Sequence, residues 1–441
     1  MNVEFTDKKI SPWGGIHLFK ELYSRLNLRE FLGSLPLPSK GSNRSIDPRD
    51  IIESFMVSVI LGSRRLSHSG MLRMDEVIRE IFAWKHGAPS ASTLSRFFKK
   101  WDKDRNDEVF PQLQKKIFEH VKVSKMTIDV DSTIITRHGH QELAHRGYNP
   151  KNKGKGSHHP LLAFCDEMKM VINSWMRSGN SNDSTDILGF LEETFRIVDR
   201  KRIGLLRMDS GFYNQQIMSK LENGPDHINY VIKARLTSRL HEQICELKNW
   251  HGSKDAHSDY QYSELVYTGS KWSQPRRMVV CRKKKVDRAS QPQDGILFKD
   301  LELAESYEYN AFVTNLTLGC QDVHELYQKR GDCENLIKEL KYDYSIEGFA
   351  LQDFYAMEAA FRFTMVAYNI MVMFRKKALV SKYKHRLSTM RFQCIALGSY
   401  VVKKGRNKTL KLSAKGERRH FLERIFDKVE LIPPDFQVSN A

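Results

Sequence analysis

The chain has 441 residues and is strongly basic: 71 Lys and Arg stand against 53 Asp and Glu, a formal net charge of +18 at pH 7. That length allows two or three domains with cores of their own, and the excess positive charge points to a polyanionic partner, nucleic acid before acidic membrane. No apolar run reaches the roughly 20 residues of a membrane span and no signal-peptide apolar region opens the chain, while the six scattered cysteines form no C-x2-C pair, so the composition speaks against a spanning protein, structural zinc and a disulfide framework and reads as cytoplasmic.

Residues 1–122 read as helical. The run 51–61 is apolar by length and composition and is expected as a buried helix. Residues 89–100 open with Pro89 and a cluster of N-cap formers, then turn basic and aromatic. This fits the second helix of a helix-turn-helix, with Ser92, Thr93, Ser95, Arg96 and Lys99 able to face DNA. From about residue 123 the pattern changes. Strands are expected at 126–133, 160–165, 170–176, 203–208 and 228–233. An amphipathic helix, 183–199, falls between the third and fourth, and a short one through Ile217, Met218 and Leu221 between the fourth and fifth. That order predicts a compact mixed sheet with helices on its faces. Residues 238–308 are turn-rich and strand-like, as at 260–267 and 277–282, and read as a β-rich insertion. A return strand at 310–316 and a helix through Tyr327 then close the core. The rest is a helix at 353–377, aromatic and apolar on one side, and a hairpin at 399–413 turning at 405–407.

The segment 327–341 sets Tyr327, Arg330, Glu334 and Lys341 at the spacing Y-x2-R-x3-E-x6-K. On one continuous helix these four side chains fall within roughly 60° of one another. One face then carries a carboxylate, two cations and a phenol, and Cys333, Leu336, Ile337 and Leu340 dock by the other. Such a stripe suits a metal ion and nucleic-acid phosphates; the plainer alternative is a solvated face with ordinary salt bridges. Further acids come from strands. Asp129 and Asp131 share one face of the first strand, because strand side chains alternate. Asp209 ends the fourth and is followed by Ser210, Gly211 and Phe212. Strand-borne Asp and a helix-borne Glu converging at one end of a sheet can hold two divalent metals about 3.5–4 Å apart, which activate a water or a 3′-hydroxyl and stabilise the leaving oxygen of a phosphodiester. Hard oxygen ligands favour Mg²⁺ or Mn²⁺ over Zn²⁺.

The connection at 146–159 has no acid and is rich in Gly and base, so Lys151, Lys153 and Lys155 are candidates to meet phosphates. The same region holds His138, His140, His145, His158 and His159, read as loop histidines near phosphate, with His138 or His140 able to assist beside a metal. Trp250 and Trp272 fall in the insertion, where a ring can pack in a core or stack on an extruded base.

Taken together, these frames resemble the DDE transposases of bacterial insertion sequences, most closely the insertion-sequence-four-like superfamily with the Y-R-E-K signature and its 1380-type family. The resemblance covers residues 123 to about 375. It rests on Asp131, Ser132 and Thr133; on Ser178, Gly179 and Asn180; on the run from Arg207 to Phe212; on the run from Val313 to Leu316; on the run from Glu334 to Lys341; and on the run from Ala367 to Ile370. It implies an α/β fold: an RNase H-like core interrupted by a β-rich insertion, flanked by an N-terminal helical DNA-binding region and a C-terminal helical and hairpin extension. The divisions are 1–122, helical, for DNA binding and dimerisation; 123–237, the first part of the core; 238–308, the insertion; 309–349, the closing strand and Glu helix; and 350–441, the extension. By resemblance the catalytic, metal-holding acids are Asp131, Asp209 and Glu334, with Asp131 preferred over Asp129 because the family's Asp directly precedes a small residue and Thr. Tyr327, Arg330 and Lys341 bind phosphates and transposon ends. Many members carry Trp just before the acid of this helix; here Asp332 and Cys333 stand there.

The implied activity is cut-and-paste transposition with Mg²⁺, or Mn²⁺, on double-stranded DNA: terminal inverted repeats and target DNA, bound by a homodimer in a bacterial, nucleoid-associated setting without a membrane. Two alternatives stay open: a metal-dependent RNase H-fold nuclease that cuts without joining, and a domesticated DNA-binding regulator.

Overall fold

A computed structural model describes residues 1–183, 185–224, 227–255, 257–285, 306–379 and 385–439. The stretch 286–305 of the expected insertion and residues 440–441 of the C-terminal extension lie outside the described residues. Its centre is one mixed sheet. The strands are β1 (Met126–Ser132), β2 (Ile135–Thr136), β3 (His145–Arg146), β4 (Gly156–His158), β5 (Leu161–Cys165), β6 (Met170–Trp175), β7 (Ile203–Met208), β8 (Asn229–Lys233), β9 (His251–Gly252), β10 (Gln261–Tyr267), β11 (Arg276–Lys284), β12 (Tyr307–Thr314), β13 (Ser399–Lys404) and β14 (Asn407–Leu412). The main sheet runs β6-β5-β1-β7-β8-β12-β11-β10-β9. β1, β7 and β8 are parallel, while β5 and β6 form an antiparallel pair beside β1. The sequence names all five of these strands because each is a short apolar run, and β5 is buried at every residue, as a strand covered on both faces must be.

Among the described residues, the β-rich segment forms no sheet of its own. β12 pairs antiparallel with β8 on one edge and with β11 on the other, so β9 to β12 prolong the core sheet. The connection from β1 to β5 instead folds into a small separate sheet, β2-β4-β3.

The expected helix at 353–377 is Phe354–Phe374, and its burial corrects the one-sided stripe. Every residue from Ala356 to Phe374 is buried, because β6 covers one flank and the N-terminal helices Pro48–Ile60 and Lys103–Phe118 cover others. A helix apolar all round belongs in a core; no helix among the described residues is long and apolar enough to cross a membrane. Its buried polar residues are all used. Asn369 accepts from the Val171 N–H at 2.9 Å and donates to the Val171 carbonyl at 2.7 Å, so an amide satisfies the backbone of edge strand β6. Arg362 pairs with Glu193 at 2.8 Å, and Glu358 accepts from the Met176 N–H at 3.1 Å.

The apolar run at 51–61 is the helix Pro48–Ile60, capped by Asp47, which accepts from the Arg49 N–H, with Pro48 in the first turn. The run at 89–100 is the helix Ala91–Phe98, capped by Ser90. Leu94, Phe97 and Phe98 dock it, and Ser92, Ser95, Arg96 and Lys99 stay exposed.

Candidate active site

The parallel register of β1 and β7 builds the first half of the site. Val130 lies opposite Met208, so the next residues, Asp131 and Asp209, emerge side by side at the carboxyl ends of the two strands. In an open sheet with parallel strands, that end is where chemistry is placed. Each acid is fixed by backbone: Asp131 accepts from the Ser132 N–H at 2.9 Å, and Asp209 accepts from the Gly211 N–H at 2.8 Å. Burial pushes the Asp131 carboxyl up to about 6; Arg330 pulls it down and Asp209 pushes it up again. Burial also raises Asp209, with Arg330 opposing and Asp183 adding to the rise. Two half-buried, mutually repelling carboxylates with hard oxygen donors fit a divalent cation, which relieves both penalties at once.

The second half departs from the expected geometry. The single helix at 327–341 is two helices, Cys320–Gln328 and Gly331–Tyr342, meeting at Lys329 and Arg330. Both junction residues keep helical dihedrals, but the hydrogen bonds tighten: the N–H groups of Arg330, Asp332 and Cys333 each bond three residues back. The four signature residues therefore do not share one stripe. Arg330, expected to grip DNA phosphate, is buried; its guanidinium reaches the Asp131 carboxylate at 3.1 Å and the Val130 carbonyl at 3.2 Å. Burial works against that charge, but Asp131, with Cys333, Tyr327 and Asp209 adding, outweighs it and holds the guanidinium pKa above its ordinary value. Its Nε is buried without a hydrogen-bond partner. Lys341 reaches the Ile134 carbonyl at 2.8 Å and Glu347 at 2.9 Å, tying the helix end to the segment after β1. Tyr327 packs on Phe312 at 4.7 Å, and burial pushes its phenol up to about 12. Glu334 is exposed in the first turn of Gly331–Tyr342 and lines a cleft of about 290 Å³ with Lys233, Phe312, His324, Tyr327 and Arg330. Among the described residues no three His, Cys, Asp or Glu side chains converge on one point. The docking face is as expected: Cys333, Leu336, Ile337 and Leu340 are buried.

Asp129 has a different job. Arg207 forks onto it with two bonds of 2.6 and 2.7 Å, reaches Asp166 at 3.0 Å, and donates to the Leu326 carbonyl at 2.8 Å. Lys169, which also pairs with Asp166, holds Asp332 at 2.8 Å. One chain of charges thus ties β1, β7, the β5–β6 turn and the first turn of the Glu334 helix together, and it gives Asp332 a structural role.

Sequence reasoning missed two residues. Asp183 accepts from the Ser132 hydroxyl at 2.6 Å, and a Cβ built on Gly211 would come within 2.0 Å of the Asp183 carboxylate. Asp183 thus braces the residues that follow both Asp131 and Asp209, and only glycine fits at 211. Arg235, just past β8, donates to the Ser210 carbonyl at 2.8 Å and pins the Asp209 turn. Asp183 was expected to open the helix at 183–199, which begins only at Ile187, and Arg235 lies past β8, so hydropathy patterning carried no signal for their bracing role. The Ser178, Gly179, Asn180 frame does have a legible cause: a Cβ on Gly179 would meet the Ser157 and His145 carbonyls at 2.0 and 2.2 Å, so this turn seats directly on the small sheet.

The expected phosphate-facing cations are on the surface. Lys151, Lys153 and Lys155 are exposed beyond the small sheet, and Arg96 is exposed on its helix. His138 and His140 are also exposed, whereas His158 and His159 are buried. Trp250 lies under the Arg282 guanidinium at 3.9 Å, and Trp272 meets Tyr213 and Tyr267 edge-on in a cleft of about 690 Å³.

A family model described as transposase DDE domain group 1 matches residues 1–434. No curated protein matches the chain significantly. Among solved structures, a piggyBac transposase synaptic complex with hairpin DNA, seen by cryo-EM, aligns over 85% of this chain and 76% of that chain, with 11% identity and a TM-score of 0.42.

Proposed function

The chain belongs to the transposase DDE domain group 1 family and is a DDE transposase, a DNA strand-cleaving and strand-transfer enzyme; from that premise we propose that it serves a bacterial insertion sequence, cutting its terminal inverted repeats and joining them to target DNA from an RNase H-like core. The observation that carries this reading is the register that sets Asp131 beside Asp209 at the ends of β1 and β7, in a strand order β6-β5-β1-β7-β8 of third, second, first, fourth and fifth. Mg²⁺ or Mn²⁺ ions, held by Asp131, Asp209 and Glu334, would supply activation of a water or 3′-hydroxyl and stabilise the leaving oxygen.

The chain's own residues prepare that site. Arg330 supplies the positive charge beside Asp131 in the free protein and keeps its carboxylate oriented. Asp183 and Arg235 hold the two acid-bearing turns in place. Glu334 opens on the adjoining cleft, from where it can approach the Asp pair when the ends are engaged. Lys151, Lys153, Lys155 and Arg96 are the surface cations that would meet DNA phosphates, and a dimer would bring two ends together.

The test is end cleavage and joining on a duplex bearing the element's terminal repeat. Asp131→Asn, Asp209→Asn and Glu334→Gln are each expected to abolish cleavage while keeping end binding. Mg²⁺-dependent cleavage by any one of them removes that residue from the set. Cleavage by the wild type without transfer of the freed 3′-hydroxyl to a second duplex would turn the reading to a nuclease.

A further inference from the structure

The C-terminal hairpin is a strongly basic surface element. Between residues 399 and 416 stand Lys403, Lys404, Arg406, Lys408, Lys411 and Lys415, and no acid. The pairing sorts these cations by face. Lys403 is opposite Lys408, Val401 opposite Leu410 and Ser399 opposite Leu412. Cross-strand partners share a face and so do alternate residues, so these six make one side of the ribbon.

That side is turned to the protein. Val401, Lys408, Leu410 and Leu412 line a cleft with His17, Glu80 and Phe426. Two lysines directly opposite one another would repel; Glu80 accepts from both, Lys403 at 2.6 Å and Lys408 at 2.7 Å, and their hydrogen bonds hold its carboxyl down at about 2. Ser399 and Ser11 exchange backbone hydrogen bonds of 2.8 and 2.9 Å, which seat the ribbon's base on the N-terminal segment.

The opposite side has no such partner. Tyr400, Lys404, Asn407 and Lys411 face outward and are exposed, as is Arg406 in the turn. Lys404, Arg406 and Lys411 make no ion pair among the described residues, and Lys8 adds a fourth cation by lying over the Tyr400 ring at 5.0 Å. Gly405 has φ +60° at the first position of a two-residue turn, and a Cβ there would meet nothing within 4 Å, so the tip stands free. Six residues per strand make a ribbon about 20 Å long, and a two-stranded ribbon is narrow enough for the major groove of B-DNA, about 12 Å wide.

We propose that the outer face of this hairpin is a second DNA-binding surface, distinct from the acid-bearing site, which grips the phosphate backbone of duplex DNA through Lys404, Arg406 and Lys411. It deepens the reading of the chain as a transposase and rests on it for the identity of the polyanion. The ribbon's inner lysines pair with Glu80, and its outer cations form no ion pair among the described residues, which leaves them for a partner's negative charge. Its seat on the N-terminal segment makes the two chain ends parts of one DNA-facing body.

The test compares full-length wild type with the triple variant Lys404→Ala, Arg406→Ala, Lys411→Ala, and with Lys404→Arg, Arg406→Lys, Lys411→Arg, which keeps every charge. Affinity for a duplex of about 30 base pairs is measured by fluorescence anisotropy across a salt series. Each phosphate contact contributes about 0.9 to the slope of log affinity against log salt. The Ala variant is expected to lose about 2 to 3 from that slope and at least about tenfold in affinity near 100 mM salt, with an unchanged melting curve, and the charge-conserving variant to recover most of the slope. Wild-type binding with an equal slope in the Ala variant overturns the hairpin assignment alone. Absence of duplex binding by the wild type overturns the DNA reading and this inference together. Loss of affinity only for a structured RNA competitor would reassign the face to RNA.

Discussion

Arg330 shows how a residue can be picked out by sequence and still be misjudged in its aim. Its place four residues before Glu334 is legible, but its direction depends on the break at Lys329 and Arg330, which turns the guanidinium inward onto Asp131. Arg330→Ala strips a largely covered carboxylate of its counter-charge, and breaking a fully buried pair costs about 3–5 kcal/mol, which sets the upper bound here. Arg330→Ala is therefore expected to lower the melting temperature and to reduce end cleavage, and Arg330→Lys to restore neither in full, because the Asp131 carboxylate and the Val130 carbonyl are both met by the guanidinium Nη2, a position that an ammonium on the different Lys stem does not reproduce. Thermal melts with single-turnover cleavage of a pre-cut end decide it. Wild-type stability and cleavage in Arg330→Ala would make the pair incidental. By contrast, Asp131 and Asp209 were legible as neighbours, since each stands at the carboxyl end of an expected strand, and an acid inside a strand is disfavoured without a task.

At the scale of elements, the strands β1, β5, β6, β7 and β8 were legible because short apolar runs bounded by turns have few other folds open to them. The break in the signature helix was not: Lys329 to Asp332 offer no proline, and only Gly331 hints at a weak point. The small sheet β2-β4-β3 was hidden too, its strands being too short for a period to show. It is held by a histidine. His158 is fully buried; Arg137 Nε donates to its Nδ1 at 3.1 Å, and its Nε2 donates to the Glu142 carbonyl at 2.9 Å, which fixes the neutral tautomer. Burial, with Arg137 adding, depresses its pKa to about 4. The unfolded chain, at about 6.5, takes up that proton first. The stability that neutral His158 contributes is thus complete above about pH 6.5 and is lost as the pH falls toward 4. The wild type is expected to lose more melting temperature between pH 7 and pH 4.5 than His158→Gln, whose side chain does not titrate. Parallel declines in the two proteins would show that the acid sensitivity lies in other groups.

At the scale of the whole molecule, sequence order and spatial order part company. The N-terminal helices and the C-terminal extension are separated by the entire sheet in sequence, yet they share one core around Phe354–Phe374. Patterning cannot show this, because hydropathy tells that a helix is buried but not against what. Phe363 is the joint. Its ring meets Phe110 at 4.8 Å, Trp101 at 5.4 Å and Phe98 at 6.5 Å, three aromatic residues from the first quarter of the chain. Truncating a buried Phe leaves a cavity and costs about 3–5 kcal/mol. If the two ends fold as one body, Phe363→Ala lowers the protection of both together: amides of Lys103–Phe118 and of Phe354–Phe374 exchange faster by a common factor, and melting stays a single transition at lower temperature. The same dependence predicts that residues 1–122 alone, deprived of the helix that fills their core, give no cooperative melt. Hydrogen exchange that speeds up in Phe354–Phe374 while Lys103–Phe118 keeps its wild-type protection would show that the N-terminal helices stand by themselves.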